Sequence, residues 1–120
     1  MFIGVDLAHE ETEKQKELKQ MNNTVKIKQL LPEEELLCQL AEECGELAQA
    51  ALKYRRAMTG VNPTPVTPEE ARRKLVEEAA DVYCCLNLLL DGMDHMDIWN
   101  ITKRKKERWV GRLEARDAEV

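Results

Sequence analysis

At 120 residues the chain is long enough for one domain and one modest hydrophobic core. It is 43% hydrophobic and 34% charged, with five Gly and four Pro, which suits packed helices; aromatic and β-branched residues are too few for a sandwich or barrel. A net charge of −5 argues against nucleic acid as the main partner, because phosphate-backbone binders ordinarily carry a basic excess.

Residues 1–31 are the least patterned part. "HEETEKQKELKQMNN" is polar and has few apolar anchors, so this segment is expected to be an arm or a loosely docked helix. The opening "MFIGVDLAHEETEKQ" lacks the basic, apolar and small-residue parts of a signal peptide. No apolar run approaches the ~20 residues of a membrane span. A cytoplasmic protein without a membrane partner is therefore expected. Cys38, Cys44, Cys84 and Cys85 then default to reduced packing residues, since none shows the paired spacing of a zinc site.

A helical domain is expected over residues 32–116. Its first helix opens at "LPEEELL", with Pro32 suited to the first helical position and Glu33 to Glu35 complementing the helix dipole. The helix should run to about Met58, with Leu36, Leu37, Leu40, Cys44, Leu47 and Ala51 on its apolar face. "TGVNPTPVTP" is a loop, because its prolines cannot lie inside a helix or a central strand.

Thr67 should cap the second helix, with Pro68 at its first position and Glu70 completing a capping box. Leu75, Ala79, Val82, Leu86 and Leu89 form its expected stripe, and Asp91-Gly92 ends it. A third helical region follows from about Asp94 to the basic run "TKRKKERWVGRL", where Trp99 and Trp109 read as core anchors. No strand-like alternation occurs. The expected fold is an all-α small bundle with antiparallel core helices.

Carboxylates occupy unusual places in this pattern. On a wheel at ~100° per residue, Glu43 falls about 60° from the centre of the first stripe and Glu46 about 60° beyond it. Glu78 and Asp81 take nearly the same angles on the second helix. Packed face to face, the helices would bring four carboxylates together at one edge of the seam. Such acids either raise one another's pKa or require a cation, and all-oxygen donors favour Mg²⁺ or Mn²⁺ over zinc. Paired acids are ordinarily a solvated helix face, and it is the matched pair on a second helix that gives the metal reading its weight. Glu42 and Glu77 point further from the seam. A di-iron site is excluded, because neither His9 nor His95 follows a glutamate by three residues.

"EECGE" followed by "EEAAD" resembles the EExxE…ExxD signature of the MazG-like all-α nucleoside triphosphate pyrophosphohydrolases. The flanking "LAEECGELAQAALKYRR", "NPTPVTPEEA", "KLVEEAADVYCCLNLL" and "KKERWVGRL" agree with it, so that the resemblance covers roughly residues 33–113. The resemblance implies Mg²⁺ held by Glu43, Glu46, Glu78 and Asp81, the residues that the wheel also selects. It implies hydrolysis of a (d)NTP to the monophosphate and pyrophosphate, with Glu42 or Glu46 acting on the attacking water. Lys105 and Arg108, with Lys103 as substitute, are the implied phosphate-binding residues of the closing helix.

Gln39 and Cys85, each one turn from an acid, are candidates for a base pocket. A homodimer or homotetramer is expected from the family's assemblies and from the apolar stretches "VYCCLNLLL" and "LAQAAL". Two alternatives remain open: a non-catalytic helical nucleotide- or protein-binding module, and a phosphoribosyl-ATP pyrophosphatase.

Overall fold

The computed structural model describes residues 11–119. Four α-helices and no strand occur among them: α1 (Glu13–Leu30), α2 (Glu33–Thr59), α3 (Pro68–Leu89) and α4 (Gly92–Ala118). The all-α class expected from composition is the one observed. His9 and the first ten residues of the N-terminal segment lie outside the described residues.

Local chemistry accounts for each helix boundary. Thr12 caps α1 through a reciprocal capping box: its hydroxyl accepts from the Gln15 amide at 3.2 Å, while Gln15 Oε1 accepts from the Thr12 amide at 2.9 Å. Pro32 stands one position earlier than expected, at the N-cap of α2, where its extended ψ of 152° turns the chain into the helix. Gly60 closes α2 with φ +66°, a left-handed conformation that glycine adopts without a Cβ clash.

Thr67 caps α3 by accepting from the Glu70 amide at 3.2 Å, and Pro68 follows at the first turn. Asp91 both ends the break after α3 and caps α4. Its carboxylate accepts from the Asp94 amide at 2.8 Å and its own amide donates back to Asp94 Oδ2 at 3.0 Å. The last helix therefore starts at Gly92, two residues before the expected Asp94.

Among the described residues, only α2 and α3 share an extensive interface. The seam positions of α2 are Leu36, Leu40, Glu43, Leu47, Ala50, Tyr54 and Ala57, with Arg56 also partly shielded. On α3 they include Ala71, Leu75, Glu78, Val82, Cys85 and Leu89. Both sets advance by alternating steps of four and three, the 3.5-residue period of helices packed in coiled-coil fashion. Leu36 shares a niche with Leu88 and Leu89, and the Arg72 guanidinium donates to the Tyr54 hydroxyl at 3.4 Å.

This register corrects the expected apolar stripe of α2. Leu37, Cys44 and Ala51 are exposed, Leu37 by 52%, while Glu43 and Ala50 turn inward. On α3, Ala71, Glu78, Cys85 and Leu88 are the buried residues. On α2 the tertiary contact keeps a narrow seam of near-3.5-residue period, while α3 also shields Ala79, Leu86 and Leu88 beside its seam positions.

The remaining helices lie outside that seam. No residue of α4 is buried, and Trp99 and Trp109 are 75% and 61% exposed, so neither is a core anchor within the chain. α1 runs past α3 with Asn23 and Ile27 near Tyr83, Cys84 and Asn87. The Cα radius of gyration is 21.4 Å. A globule of this length would have about 14 Å. A single chain is thus a helix pair with two outlying helices.

Candidate metal centre

Glu43 and Glu78 occupy seam positions that the surrounding heptads fill with Leu, Ala, Val and Cys. One turn further along each helix, Glu46 and Asp81 stand at the exposed margin. One oxygen from each of the four residues lies within 4.8 Å of all the others. The convergence expected from the helical wheel is therefore present, with a difference: Glu43 and Glu78 lie in the seam and not on its flank.

The two seam acids are held alike. Gln39, one turn before Glu43, donates its amide to Glu43 Oε1 at 2.7 Å. Lys74, one turn before Glu78, pairs with Glu78 Oε1 at 2.9 Å. The second oxygens, Glu43 Oε2 and Glu78 Oε2, are buried and have no hydrogen-bond partner. Glu78 as a whole is only 6% exposed. A buried carboxylate oxygen without a partner is costly, and two facing the same seam compound the cost.

The electrostatics follow from this crowding. The Glu43 carboxylate crowded against Glu46 raises the Glu46 pKa most, and Glu78 adds to the effect. Asp81 is raised first by its loss of solvent and then by the charges of Glu43 and Glu78. Glu78 moves the other way: the hydrogen bond from Lys74 lowers it, against the opposing effect of burial. Lys74 is correspondingly raised, chiefly by the same bond. Burial pushes the Cys85 thiol up, with Cys84 and Glu43 adding to it.

A hard divalent cation would relieve the repulsion and give the bare oxygens a partner. Octahedral Mg²⁺ with ligands near 2.1 Å needs oxygens about 3 Å apart when adjacent and about 4.2 Å when opposite. The four oxygens all lie within 4.8 Å of one another, a spread that a six-coordinate hard cation can span. The donor set therefore fits a cation of this class.

The other residues selected from sequence are distributed differently. Glu42 is exposed and stands outside the oxygen cluster. Lys103, Lys105 and Arg108 are exposed on α4, and none forms an ion pair with the cluster among the described residues. Lys105 and Arg108 instead border a shallow concavity with Trp109 and Arg112.

Sequence reasoning missed Lys74, whose signal was the i, i+4 spacing to Glu78. It also missed a groove of about 620 Å³ beside the acids, bordered by Glu46, Gln49, Lys53, Arg56, Lys74 and Glu78. The "KYRR" run pointed there, since Lys53 and Arg56 follow Glu46 by two to three turns. No protein-family model, curated protein or solved structure matches this chain.

Proposed function

We propose that the protein is a MazG-like, Mg²⁺-dependent nucleoside triphosphate pyrophosphohydrolase of house-cleaning type, converting a (d)NTP and water to the (d)NMP and pyrophosphate. One observation carries this reading: four convergent carboxylates, two of which keep a buried oxygen without any partner. Stability alone gives no reason to hold acids in a helix seam where leucine would pack, whereas a bound cation does.

In this reading Glu43, Glu46, Glu78 and Asp81 hold Mg²⁺, with Mn²⁺ as a substitute. The metal, when bound, supplies charge neutralisation on phosphate oxygens and a lowered pKa for the attacking water. The chain's own residues do the rest. Gln39 fixes the rotamer of Glu43, and Lys74 holds Glu78 while the centre lacks a cation. Glu46, whose pKa is raised, or the exposed Glu42 takes the proton from the attacking water. By the resemblance, Lys103, Lys105 and Arg108 of α4 are additional phosphate-binding cations, exposed and apart from the acids within one chain, and Gln39 is a candidate for base contact.

The proposed assembly is a cytoplasmic homodimer or homotetramer built on antiparallel α2 and α3. Two facts support an assembly. The chain exposes 10,647 Å² of surface. A compact monomer of 13.8 kDa would expose about 6,600 Å². The second fact is the pair of exposed tryptophans on α4.

The test is pyrophosphate release from a panel of (d)NTPs with Mg²⁺, using Glu43→Ala and Asp81→Ala as controls. Loss of turnover in both, with helical content unchanged by circular dichroism, is the expected result. Turnover that survives both substitutions would remove the proposal. Absence of turnover on every nucleotide, with Mn²⁺ still bound at the acids, would identify a binding module instead.

A further inference from the structure

Lys74 has two neighbours with opposite demands. Its ammonium pairs with the buried Glu78 at 2.9 Å and reaches Glu77 at 3.8 Å, while its side chain also borders the groove that holds Lys53 and Arg56. Glu46 and Glu78 border the same groove, and on α2 Lys53 and Arg56 follow Glu46 by about two and three helical turns, so acids and cations line one concavity. Neither Lys53 nor Arg56 forms an ion pair among the described residues. In an acidic chain, two unpaired cations and a third beside a metal-type cluster form a place for a chain of linked anions.

The geometry points to this groove as the polyphosphate subsite, with Lys74 exchanging partners: paired with Glu78 while the acid centre lacks a cation, and turned to phosphate when a divalent ion takes Glu78. This rests on the pyrophosphohydrolase reading and deepens it. A Lys ammonium on a four-carbon stem can swing between the two partners by rotamer changes alone, and its 57% side-chain exposure leaves room for them. The exchange makes cation and polyphosphate binding mutually favourable, because the cation removes the carboxylate that otherwise holds Lys74.

The decisive property is an opposite response to one substitution. In Lys74→Gln, Glu78 has no competing ammonium, so Mn²⁺ affinity, read by the electron paramagnetic resonance of free Mn²⁺, is expected to rise severalfold. In the same variant, affinity for Mg²⁺-tripolyphosphate, read by calorimetry, is expected to fall by about tenfold, the size of a lost charge-assisted contact. The Lys53→Gln/Arg56→Gln variant should lose tripolyphosphate affinity and keep Mn²⁺ affinity.

A weaker Mn²⁺ affinity in Lys74→Gln would overturn the exchange. Tripolyphosphate binding unchanged in Lys53→Gln/Arg56→Gln but weakened in Lys103→Gln/Lys105→Gln/Arg108→Gln would move the subsite to α4, leaving the pyrophosphohydrolase reading intact. A wild-type protein that binds no Mn²⁺ would sink both. Circular dichroism on each variant separates these outcomes from misfolding.

Discussion

The helices α2 and α4 are each 27 residues long, and they meet opposite fates. α2 finds α3 within the same chain and turns Glu43 into the seam beside the buried Glu78. α4 finds no such surface and leaves Trp99, Trp109, Val110 and Leu113 exposed. A buried Glu78 with a half-buried Glu43, and exposed tryptophans, invert the usual distribution of residue types. In the reading proposed above, a cation fills the seam and a second protein surface covers the face of α4.

The largest expected effect breaks the comparison at the seam. Glu78→Met should lower pyrophosphate release by at least about 100-fold, the order expected when a major electrostatic contact in the transition state is lost. The same change should raise the thermal midpoint of the metal-free protein, since it replaces a buried acid with an apolar side chain of similar reach. A drop in that midpoint would mean that Glu78 contributes structurally through Lys74.

Next in size is the response of α4. Trp99→Ser/Trp109→Ser should reduce the mass seen by light scattering to the 13.8 kDa of one chain while preserving helical content. A wild-type protein already at that mass would show that the exposed tryptophans serve something other than self-association.

The acid cluster should also be visible in the pH dependence of stability. Glu46 and Asp81 have raised folded-state pKa values, so the folded state binds their protons more readily than the unfolded state does. Their contribution is therefore most favourable at low pH and is lost as pH rises through the folded values. Glu78, lowered by Lys74, contributes in the opposite sense: its share is present above the ordinary 4.5 and is lost as pH falls through the folded value. Glu46→Gln should accordingly raise the melting temperature of metal-free protein at neutral pH. That gain should shrink as pH falls towards 4.5, and saturating Mg²⁺ should reverse its sign at neutral pH, because the wild type then gains a ligand that the variant lacks.

The smallest effect is local. Thr67→Ala removes the side-chain acceptor for the Glu70 amide and should cost about 1 kcal/mol in a denaturant titration, without touching Mn²⁺ affinity. A change in metal binding would tie the α3 cap to the acid centre.

Much of this molecule is legible without coordinates. The helix limits follow from Thr67, Pro68, Gly60 and the Asp91-Asp94 pair, whose backbone chemistry is local. The four acids could be chosen from spacing alone, because helical periodicity carries angle information. The apolar face of α2 was misjudged for a related reason. Leu37, Cys44 and Ala51 satisfy a broad 3.6-residue face, and nothing in one helix tells it that the partner will accept only a 3.5-residue seam.

The sequence by itself determined four things: the helical class, the Thr67 cap, the loop at residues 60–67, and acids at matching registers on two helices. Only the tertiary structure decided that Glu43 and Glu78 go inside, that each keeps one oxygen held and one bare, and that Lys74 stands between the acids and a cationic groove. The reason is physical. Caps and periodicity are properties of neighbours along the chain, whereas burial and unpaired oxygens exist only when one helix shuts water out from another.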